Sequence, residues 1–569
     1  MPMGTCLLAF LTAGAAQPWD ANEPSPVPSG MDLLYSDRIA FKPSGEPIIT
    51  LGIMSGRERV VLRSAAAIQA DFYEAGTLKH ATVRGGDTID IAVVRAQPAT
   101  RRFYIDLEGV PWGAADKLDW TLATWRARGY SKVEALEEGT VLGIGGKVID
   151  NRELRVVLPV DSPKAAAHNI DEIYARFGVR PFVSARLGER PWGELKVKGT
   201  AAPLGTATSY VRLVAPGAAL QVDGVEHDQG YAWHGFDDRQ FKGEIYVVVD
   251  PDGRLAVVNV LGAEDVLMGV VPAEISASSH SEALKAQAVA ARNQLFAKLG
   301  KRHHDDPFHL CSEQHCQVYA GTGKEDPRTT DAVAATSGEL AFYDGKLVDT
   351  VYSSSCGGHT EDNDAVWGNR PDPALRGRPD FDVSAELDPT LSPFVNGIPE
   401  DRLSTWLTTR PATFCGKATK AHPDKFRWKK TYTAAELNGF LADGFASLGS
   451  LTHLDVVERG RGGRIKSLKL IGDKGETTIL HELNIRRLFG NLNSGALIIQ
   501  EQRDKGGKLL AVTFVGGGWG HGAGMCQLGA VGRAEAGQLY RQILAYYYNG
   551  ASIERLYTVA AAVAPTAAP

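Results

Sequence analysis

The chain has few cysteines, no excess of basic residues and no long hydrophobic run after its first residues. Its formal net charge is -6 and its pI is about 6.2, so no overall positive field would attract nucleic acid. Beyond the N-terminus no stretch of about 18 uninterrupted apolar residues occurs, which excludes a transmembrane helix there. The six cysteines include Cys6 in the first apolar run, so at least one of the other five stays unpaired unless a metal ion binds some.

The composition is that of a globular protein with several domains. The 569 residues are 44% hydrophobic and 22% charged, which suffices to bury sizeable cores. Residues 33–100 carry short β-branched runs that predict a strand-rich module. Residues 101–195 predict the order β-α-β-β-α-β, which commonly forms one antiparallel sheet with both helices on one face. The expected fold class is α+β, with β-rich modules around a helical centre.

The N-terminus carries an apolar stretch, residues 6–16, that ends in small residues and precedes a Pro/Ser-rich segment. This pattern is typical of the second half of a secretory signal with cleavage near Ala15 or Ala16, so 1–16 is predicted to be a signal and 17–32 a linker. No Lys or Arg precedes the apolar run, so either the true start lies elsewhere or the segment is a disordered beginning. We expect export to the periplasm, the cell envelope or the extracellular space. An Ala-rich tail is expected at 558–569.

A glutamate close to a proline stands in front of a helical pattern. Glu274 follows Pro272 and precedes the run 282–299, in which apolar residues such as Leu284 and Leu295 recur at helical spacing. Because Pro lacks the amide hydrogen that goes unpaired at a helix start, and the helix dipole favours an acid there, Glu274 is predicted at a helix start. It is then either an ordinary first-turn glutamate or, with its pKa raised by burial, a general acid.

A glycine-rich segment at 516–524 supplies the second group of candidate residues. Glycines allow positive φ and a close approach of the backbone to a ligand, and Trp519 offers a flat apolar face for a sugar ring. His521 and Gln527 are candidates for polar contacts. The alternative is a tight structural turn with Trp519 in the core and His521 bonded to the backbone. Together with Glu274, this segment predicts a split active site with one carboxylate.

Residues 303–316 concentrate histidines and cysteines in a short span. Zinc ligands are predicted from Cys311, His315, Cys316 and one of His304 or His309, of which His304 is preferred, although the spacing is not that of a standard finger. The alternative is a disulfide between Cys311 and Cys316, which an oxidising compartment favours and the short separation permits. The sequence thus predicts either structural zinc or a disulfide.

Five segments, in order along the chain, resemble the blocks of the SpoIID/LytB family. They read VVPAE at 270–274, EALKAQAVAAR at 282–292, HCQVYAG at 315–321, SSSCGGHTE at 353–361 and GWGHG at 518–522. The resemblance covers about 240–370 and 505–557 well and about 375–500 poorly. It implies a catalytic region at 196–557 with an elaboration at about 375–500. Within that elaboration, Thr433 is predicted to cap a helix. Residues 101–195 resemble the small glycan-binding SPOR domain in size and order, or are a structural insertion.

The resemblance implies a peptidoglycan enzyme, because sporulation members of the family are lytic transglycosylases that cleave glycan strands stripped of stem peptides. Glu274 would be both general acid and general base, and no second carboxylate is needed. Some SpoIID-like proteins carry zinc near the Cys311 region, which adds to the metal prediction. The matching blocks assign the following residues to substrate binding: Arg292, Gln317, Tyr319, Ser354, His359, Trp519, His521 and Gln527.

Other functions remain open at this stage. LytB-like relatives modify another hydrolase, so the chain is alternatively a non-catalytic glycan-binding protein or an enhancer of a cell-wall amidase. The expected partners are therefore peptidoglycan strands and, in the second case, an amidase. Cys356 and Cys526 stand in the glycine-rich blocks, and a thiol nucleophile with His359 or His521 as its base is a third hypothesis. The same two cysteines are also candidates for a disulfide joining their loops.

Overall fold

The computed structural model describes residues 30–36, 38–177, 181–228, 234–368, 370–383, 388–442 and 444–559. The predicted signal segment 1–16, most of the linker 17–32 and most of the tail 558–569 lie outside these residues. The sheets are antiparallel except for two short parallel strand pairs, and helices and strands follow each other irregularly, which confirms the α+β fold class. Among the described residues no helix has both the length and the apolar character needed to span a membrane.

Two large sheets form most of the first part of the chain, after the short helix Met31–Leu34. Residues from both sheets, such as Leu51, Phe72, Ile91 and Val197, are buried in one core. The chain turns at 85–87, and the strands on either side of this turn belong to different sheets. The seven-stranded sheet has the order Leu310–Cys311, Ile48–Arg57, Leu255–Gly262, Glu244–Val249, Tyr210–Val214, Ile68–Glu74 and Thr77–Val83. The six-stranded sheet has the order Pro203–Thr208, Trp192–Gly199, Thr88–Gln97, Arg59–Arg63, Leu220–His227 and Gly235–Phe241.

A four-stranded antiparallel sheet with two helices on one face lies between these sheets in the sequence. Helices Ala115–Ala127 and Pro163–Phe177 bury Trp125 and Ile173 against the strands. The predicted order β-α-β-β-α-β is present, and residues 141–150 form a separate hairpin closed by glycines 145 and 146, both with positive φ. The sheet has the order Phe182–Leu187, Arg101–Pro111, Glu153–Val160 and Glu134–Glu138, and the hairpin is Val141–Ile144 with Lys147–Asp150.

A buried helix, Ser281–Lys298, forms the centre of the second half of the fold. Nearly all of its side chains from Ala283 to Phe296 are buried, so it packs on every side. It begins and ends one residue before the predicted bounds. Residues 527–547 form two helices, because the chain turns between them at Gly537, which has a positive φ. The surrounding elements are Ala263–Glu274, Gly321–Lys324, Pro327–Ala335, Glu339–Tyr343, Lys346–Leu347, Tyr352–Ser353, Met525–Cys526, Gln527–Glu535, Tyr540–Tyr547 and Ser552–Arg555.

The region predicted as an elaboration contains two three-stranded sheets and a core of its own. Thr433 caps a helix there as predicted, and Glu436 completes a capping box with it. The region is joined to the segment 353–361 through the buried Glu361, which accepts N–H groups from Gly462 and Arg464. The sheets are Arg427–Thr433, Leu509–Gly517 and Leu497–Arg503, and Leu451–Arg459, Ile465–Gly472 and Glu476–Leu480. The helices are Asn363–Trp367, Ser392–Phe394, Glu400–Thr408, Phe414–Lys417, Pro423–Phe426, Ala434–Leu441, Ala446–Leu448 and Glu482–Leu488.

Candidate active site at Glu274

Glu274 lies at the end of a helix, and the prediction that it starts one is wrong. The helix Ala263–Glu274 begins directly after the strand Leu255–Gly262 and contains Pro272 in its last turn. The sequence pattern placed Pro272 at a helix start because proline is favoured there, but an apolar run from Val266 onward continues the helix through it. The carbonyl end of a helix carries partial negative charge and so disfavours a carboxylate. This position therefore favours the protonated form of Glu274.

Burial sets the protonation of Glu274. The side chain is half-buried, and this burial raises the pKa of its carboxyl group above the ordinary value. Three groups partly offset the effect: the Val318 N–H, the Lys298 ammonium and the Tyr352 hydroxyl. None of these groups is a carboxylate. Within the described residues, Glu274 thus stands as a single acid among a backbone donor, a phenol and a cation.

Gln527, three residues after the glycine-rich segment, contacts the backbone of Glu274. The Gln527 side-chain amide donates to the backbone oxygen of Glu274 at 3.0 Å and to Gln287 Oε1 at 3.2 Å. Gln527 is the first residue of the helix Gln527–Glu535, and Cys526 caps that helix. The contact therefore joins the ends of two helices that are 253 residues apart in the sequence.

A tyrosine and two glutamines complete the surroundings of the acid. Gln317 donates to the Ala291 carbonyl at 3.0 Å and to the Tyr352 hydroxyl at 3.4 Å. Gln317 Oε1 and Gln287 Nε2 are buried and have no hydrogen-bond partner among the described residues. Such unpaired polar atoms are costly unless a ligand or water pairs with them. Sequence reasoning missed Tyr352, although it directly precedes the block 353–361.

An exposed aromatic surface lies on the glycine-rich loop. Trp519 remains 40% exposed, which favours the sugar-platform interpretation over a core position. The Lys425 ammonium lies 5.8 Å from its ring centroid and also donates to Ser354 Oγ at 3.3 Å. The backbone of Trp519 pairs with Ser355 in both directions, which holds the loop against the segment 353–361. Trp519, Ser354 and Lys425 thus form one surface, of which the sequence had indicated the first two.

Arg292 belongs to a buried ion pair and does not reach Glu274. Its guanidinium is fully buried and donates to both carboxylate oxygens of Glu264, at 2.7 and 2.6 Å. The remaining donors bind the backbone oxygens of Glu339 and Val333. The assignment of Arg292 to substrate binding is thus contradicted, because its donors are occupied by the protein itself. No sequence pattern predicts that Glu264 is the partner of Arg292.

Tyr319 and His359 are also core residues rather than substrate contacts. Tyr319 is 1% exposed and donates its hydroxyl to Asn259 Oδ1 at 3.1 Å. His359 is fully buried, its Nδ1 lies 2.7 Å from the Thr360 carbonyl oxygen, and burial lowers its pKa to about 4. Both side chains are enclosed by protein atoms, so a glycan strand has no access to them.

His521 is neutral and bonded to the backbone. Burial lowers its pKa to about 3, its Nδ1 accepts the Ala523 N–H at 3.1 Å, and it bonds to the backbone of Tyr352. The hypothesis of a thiol nucleophile is not supported, because burial raises the thiol pKa of Cys356 and Cys526 well above its ordinary value. Among the described residues these thiols contact sulfur and backbone N–H groups but no imidazole.

The predicted metal ligands lie together, with one substitution. Potential ligand atoms of His303, Cys311, His315 and Cys316 lie within 4.8 Å of one another. His303 replaces the predicted His304, which instead contacts Glu138 at 3.3 Å. Cys311 and Cys316 are free thiols, so the disulfide alternative is not present. His303 has a positive φ of 56°, which turns its ring toward the cysteines in a way that spacing alone does not predict.

The distances in this cluster fit a tetrahedral zinc site. Cys316 Sγ lies 3.4 Å from His303 Nε2, and His315 Nδ1 lies 3.8 and 3.9 Å from the two sulfurs. Zinc bonds of about 2.3 Å to sulfur and about 2.05 Å to nitrogen give a tetrahedral S···N edge of about 3.6 Å. His303 Nδ1 also lies 2.8 Å from Asp306, a carboxylate–histidine contact of the kind that orients metal ligands.

We name the group of His303, Cys311, His315 and Cys316 the thiol–imidazole cluster. It is adjacent along the chain to residues that surround Glu274. Cys316 directly precedes Gln317 and Val318, which contact Tyr352 and the Glu274 carboxylate respectively. Lys298 donates to the Cys316 carbonyl oxygen and also acts on Glu274 electrostatically. A fixed cluster therefore fixes the residues beside the acid.

Comparison with known proteins agrees with the sequence blocks. Residues 251–343 match the family described as stage II sporulation protein (SpoIID), and 361–524 match a domain of unknown function, DUF8618, which spans the whole elaboration. The chain is 28% identical over 328 residues to an uncharacterised protein of Brachyspira hyodysenteriae, covering 58% of this chain and 75% of the relative.

Two named relatives come from Bacillus subtilis (strain 168). The amidase enhancer is 29% identical over 302 residues, which cover 50% of this chain and 40% of the relative. The stage II sporulation protein D is 27% identical over 307 residues, which cover 51% of this chain and 74% of the relative. The SpoIID match over 251–343 and these two relatives support the assignment of the chain to the SpoIID/LytB family.

Proposed function

We propose that the protein is an exported peptidoglycan lytic transglycosylase that cleaves the bond between N-acetylmuramic acid and N-acetylglucosamine in glycan strands without stem peptides. One observation carries the proposal: a single half-buried glutamate, Glu274, has a raised pKa at the point where two family blocks meet. The names of the relatives, amidase enhancer and stage II sporulation protein D, support a role at the cell wall.

The reaction needs one carboxyl group that acts twice. Protonated Glu274 donates its proton to the glycosidic oxygen as the bond from that oxygen to C1 of the muramic sugar breaks. The resulting carboxylate then takes the proton of the muramic C6 hydroxyl, whose oxygen closes onto C1. The products are a shortened strand and a 1,6-anhydro end, and Glu274 regains its proton. Water is not consumed, so the cycle requires only this one carboxyl group.

The residues around Glu274 suit this cycle. The Val318 N–H and the Tyr352 hydroxyl stabilise the transient carboxylate, while burial stabilises the acid form that begins the cycle. Gln527 holds the backbone of Glu274 in place. The unpaired Gln317 Oε1 and Gln287 Nε2 are an acceptor and a donor available to sugar hydroxyl or acetamido groups.

We further propose that the thiol–imidazole cluster holds one structural zinc ion. The ligands would be His303, Cys311, His315 and Cys316, a four-ligand set that leaves no open position for substrate. The ion would supply conformational stability rather than chemistry, because four protein ligands fill its coordination sphere. One of them, Cys316, immediately precedes Gln317 and Val318. The positions of Gln317 and Val318 beside Glu274 would then depend on a loop that folds around the metal.

The direct test is product analysis with the wild type and Glu274→Gln. Peptidoglycan stripped of stem peptides by an amidase is incubated with each protein, and anhydro-muramic products are measured by mass spectrometry. We expect products from the wild type, none from Glu274→Gln, and full activity from the control Glu172→Gln. Glu172 is an exposed glutamate on the helix Pro163–Phe177, paired with Arg176.

The same experiment separates the proposal from its main alternative. If neither the wild type nor the variant gives products but both bind the glycan, the protein is a glycan-binding protein or an enhancer of a cell-wall amidase. In that case addition of the protein should raise the activity of such an amidase on intact peptidoglycan. Equal product formation by Glu274→Gln would show that another residue is the acid.

A further inference from the structure

A second group of metal-ligating side chains lies apart from the thiol–imidazole cluster. Ligand atoms of Cys356, Asp380, Cys415 and Cys526 lie within 4.8 Å of one another, and all four residues are buried. Three thiols and a carboxylate converge here from four separate segments of the chain. We name this group the three-thiol cluster.

The spacing of the sulfurs matches metal ligation better than a disulfide. Cys356 Sγ and Cys415 Sγ lie 3.7 Å apart. Two sulfurs bound to one zinc ion at about 2.3 Å in tetrahedral geometry are separated by about 3.8 Å. A disulfide requires about 2.05 Å between the sulfurs. The three cysteines are free thiols in the structure, including the pair Cys356 and Cys526 for which a disulfide was an alternative.

The ligand atoms receive the hydrogen bonds that orient metal ligands. Cys526 Sγ accepts the backbone N–H groups of Cys356 at 3.1 Å and of Gly529 at 3.2 Å. Asp380 Oδ2 accepts the Cys415 N–H at 2.8 Å, and Oδ1 accepts the Tyr547 hydroxyl at 2.6 Å. Donors aimed at sulfur and carboxylate stabilise their anionic forms, which are the forms that bind a cation.

The charges around the cluster suit a bound divalent cation. Three thiolates and one carboxylate exceed the charge of such a cation by two. Two guanidinium groups lie beside them: Arg533 Nε is 3.5 Å from Asp380, and Arg427 faces the Cys356 and Cys415 thiols. Arg427 donates its N–H groups to four backbone oxygens and pairs with no carboxylate among the described residues. The two guanidinium groups therefore neutralise the net charge of −2 that the four ligands and a bound divalent cation would carry.

We propose that the three-thiol cluster binds a thiophilic divalent cation of the zinc class through Cys356, Asp380, Cys415 and Cys526. Sulfur-rich tetrahedral sites select such ions, and binding replaces the thiol protons, which leave to solvent. The site is closed and therefore structural. It ties Asp380 and Cys415 of the DUF8618 match to the loops that carry Cys356 and Cys526. Because Cys526 caps the helix that begins with Gln527, the ion also fixes the residue that braces Glu274.

The test is metal stoichiometry in the full chain, purified without chelator and measured by plasma mass spectrometry. Two double variants form a matched pair: C356S/C415S disrupts the three-thiol cluster, and C311S/C316S disrupts the thiol–imidazole cluster. We expect two zinc equivalents in the wild type and one in each double variant. One equivalent in the wild type that C356S/C415S removes would also support the site. One equivalent that only C311S/C316S removes would overturn it, as would a wild type without metal.

A measurement on the wild type alone keeps the proposal testable if the variants fail to fold. The protein is denatured with chelator but without reductant, and its thiols are counted. In the full chain with Cys6 retained, metal-bound cysteines give all six thiols. A disulfide between Cys356 and Cys415 would give four, rising to six with reductant, and would overturn the proposal. Cobalt(II) added to the metal-free wild type should give the intense absorption of thiolate ligation, and this absorption should increase until two equivalents are bound. If it saturates at one equivalent, and the same absorption is seen in C311S/C316S, the result would still support the site.

Discussion

Arg292 provides the sharpest test of whether the buried ion pair is structural. Arg292→Met leaves the Glu264 carboxylate buried with only the Gly338 N–H and the Tyr557 hydroxyl as donors. Glu264→Gln leaves the guanidinium fully buried opposite a neutral amide. Each change should therefore destabilise the protein strongly, because an uncompensated buried charge costs more than the pair itself contributes.

The magnitude follows from the bidentate geometry. At an effective dielectric constant of about 20, two charges about 4 Å apart attract by about 4 kcal/mol. Removal of one partner of a buried pair typically costs about 3–5 kcal/mol, and we expect this for either single variant. The double variant Arg292→Met with Glu264→Gln should cost less than the sum, because it leaves no unpaired charge. Urea unfolding followed by circular dichroism measures these differences.

Arg95→Met is the matched control for the buried variant. Arg95 also pairs with a glutamate, Glu194, but its side chain is 66% exposed, so its loss should leave the free energy of unfolding nearly unchanged. The reasoning would be refuted if Arg292→Met unfolded like the wild type but lost glycan cleavage. That result would return Arg292 to the substrate-binding group.

Three further predictions address the site. Because burial raises the pKa of Glu274 and the acid must start protonated, cleavage should fall as pH rises through that pKa, with a midpoint above the ordinary value of 4.5 in a pH–rate profile. Trp519→Ala should weaken glycan binding roughly 2- to 12-fold in a pull-down titration, whereas Trp192→Ala, with the same 40% exposure on another sheet, should not. His303→Ala should lose one zinc equivalent by plasma mass spectrometry, and loss in His304→Ala instead would contradict the ligand set.

Local patterns predicted much of the secondary structure. The helix at 282–299 was visible because apolar residues recur at helical spacing, and it is present as Ser281–Lys298. The cap at Thr433 followed from the side-chain oxygen of threonine, which pairs with an otherwise unpaired backbone N–H. Both features depend on residues within a few positions of each other, which is the range over which sequence patterns report structure.

The errors arise where a distant partner decides. The assignment of Arg292 to substrate binding is wrong because sequence spacing does not identify Glu264, 28 positions earlier, as its partner. His303 and His304 are equivalent by spacing, but His303 has a left-handed backbone and lies in the cluster, whereas His304 contacts Glu138. Proline is favoured at helix starts, which predicts a start near Pro272, but the helix begins at Ala263 and continues through Pro272. Tertiary contacts override local preference in each case.

The placement of Glu274 depends on two cysteine-bearing segments that lie far apart from each other in the sequence. Cys316 directly precedes Gln317 and Val318, and Cys526 directly precedes Gln527, so each segment presents its neighbour to the acid or to the backbone that carries it. Both contacts come from loops and helix ends, which are easily displaced. Metal ions at the two clusters would remove that freedom without occupying the glycan surface. The acid would then be positioned by ions that take no part in the proton transfers.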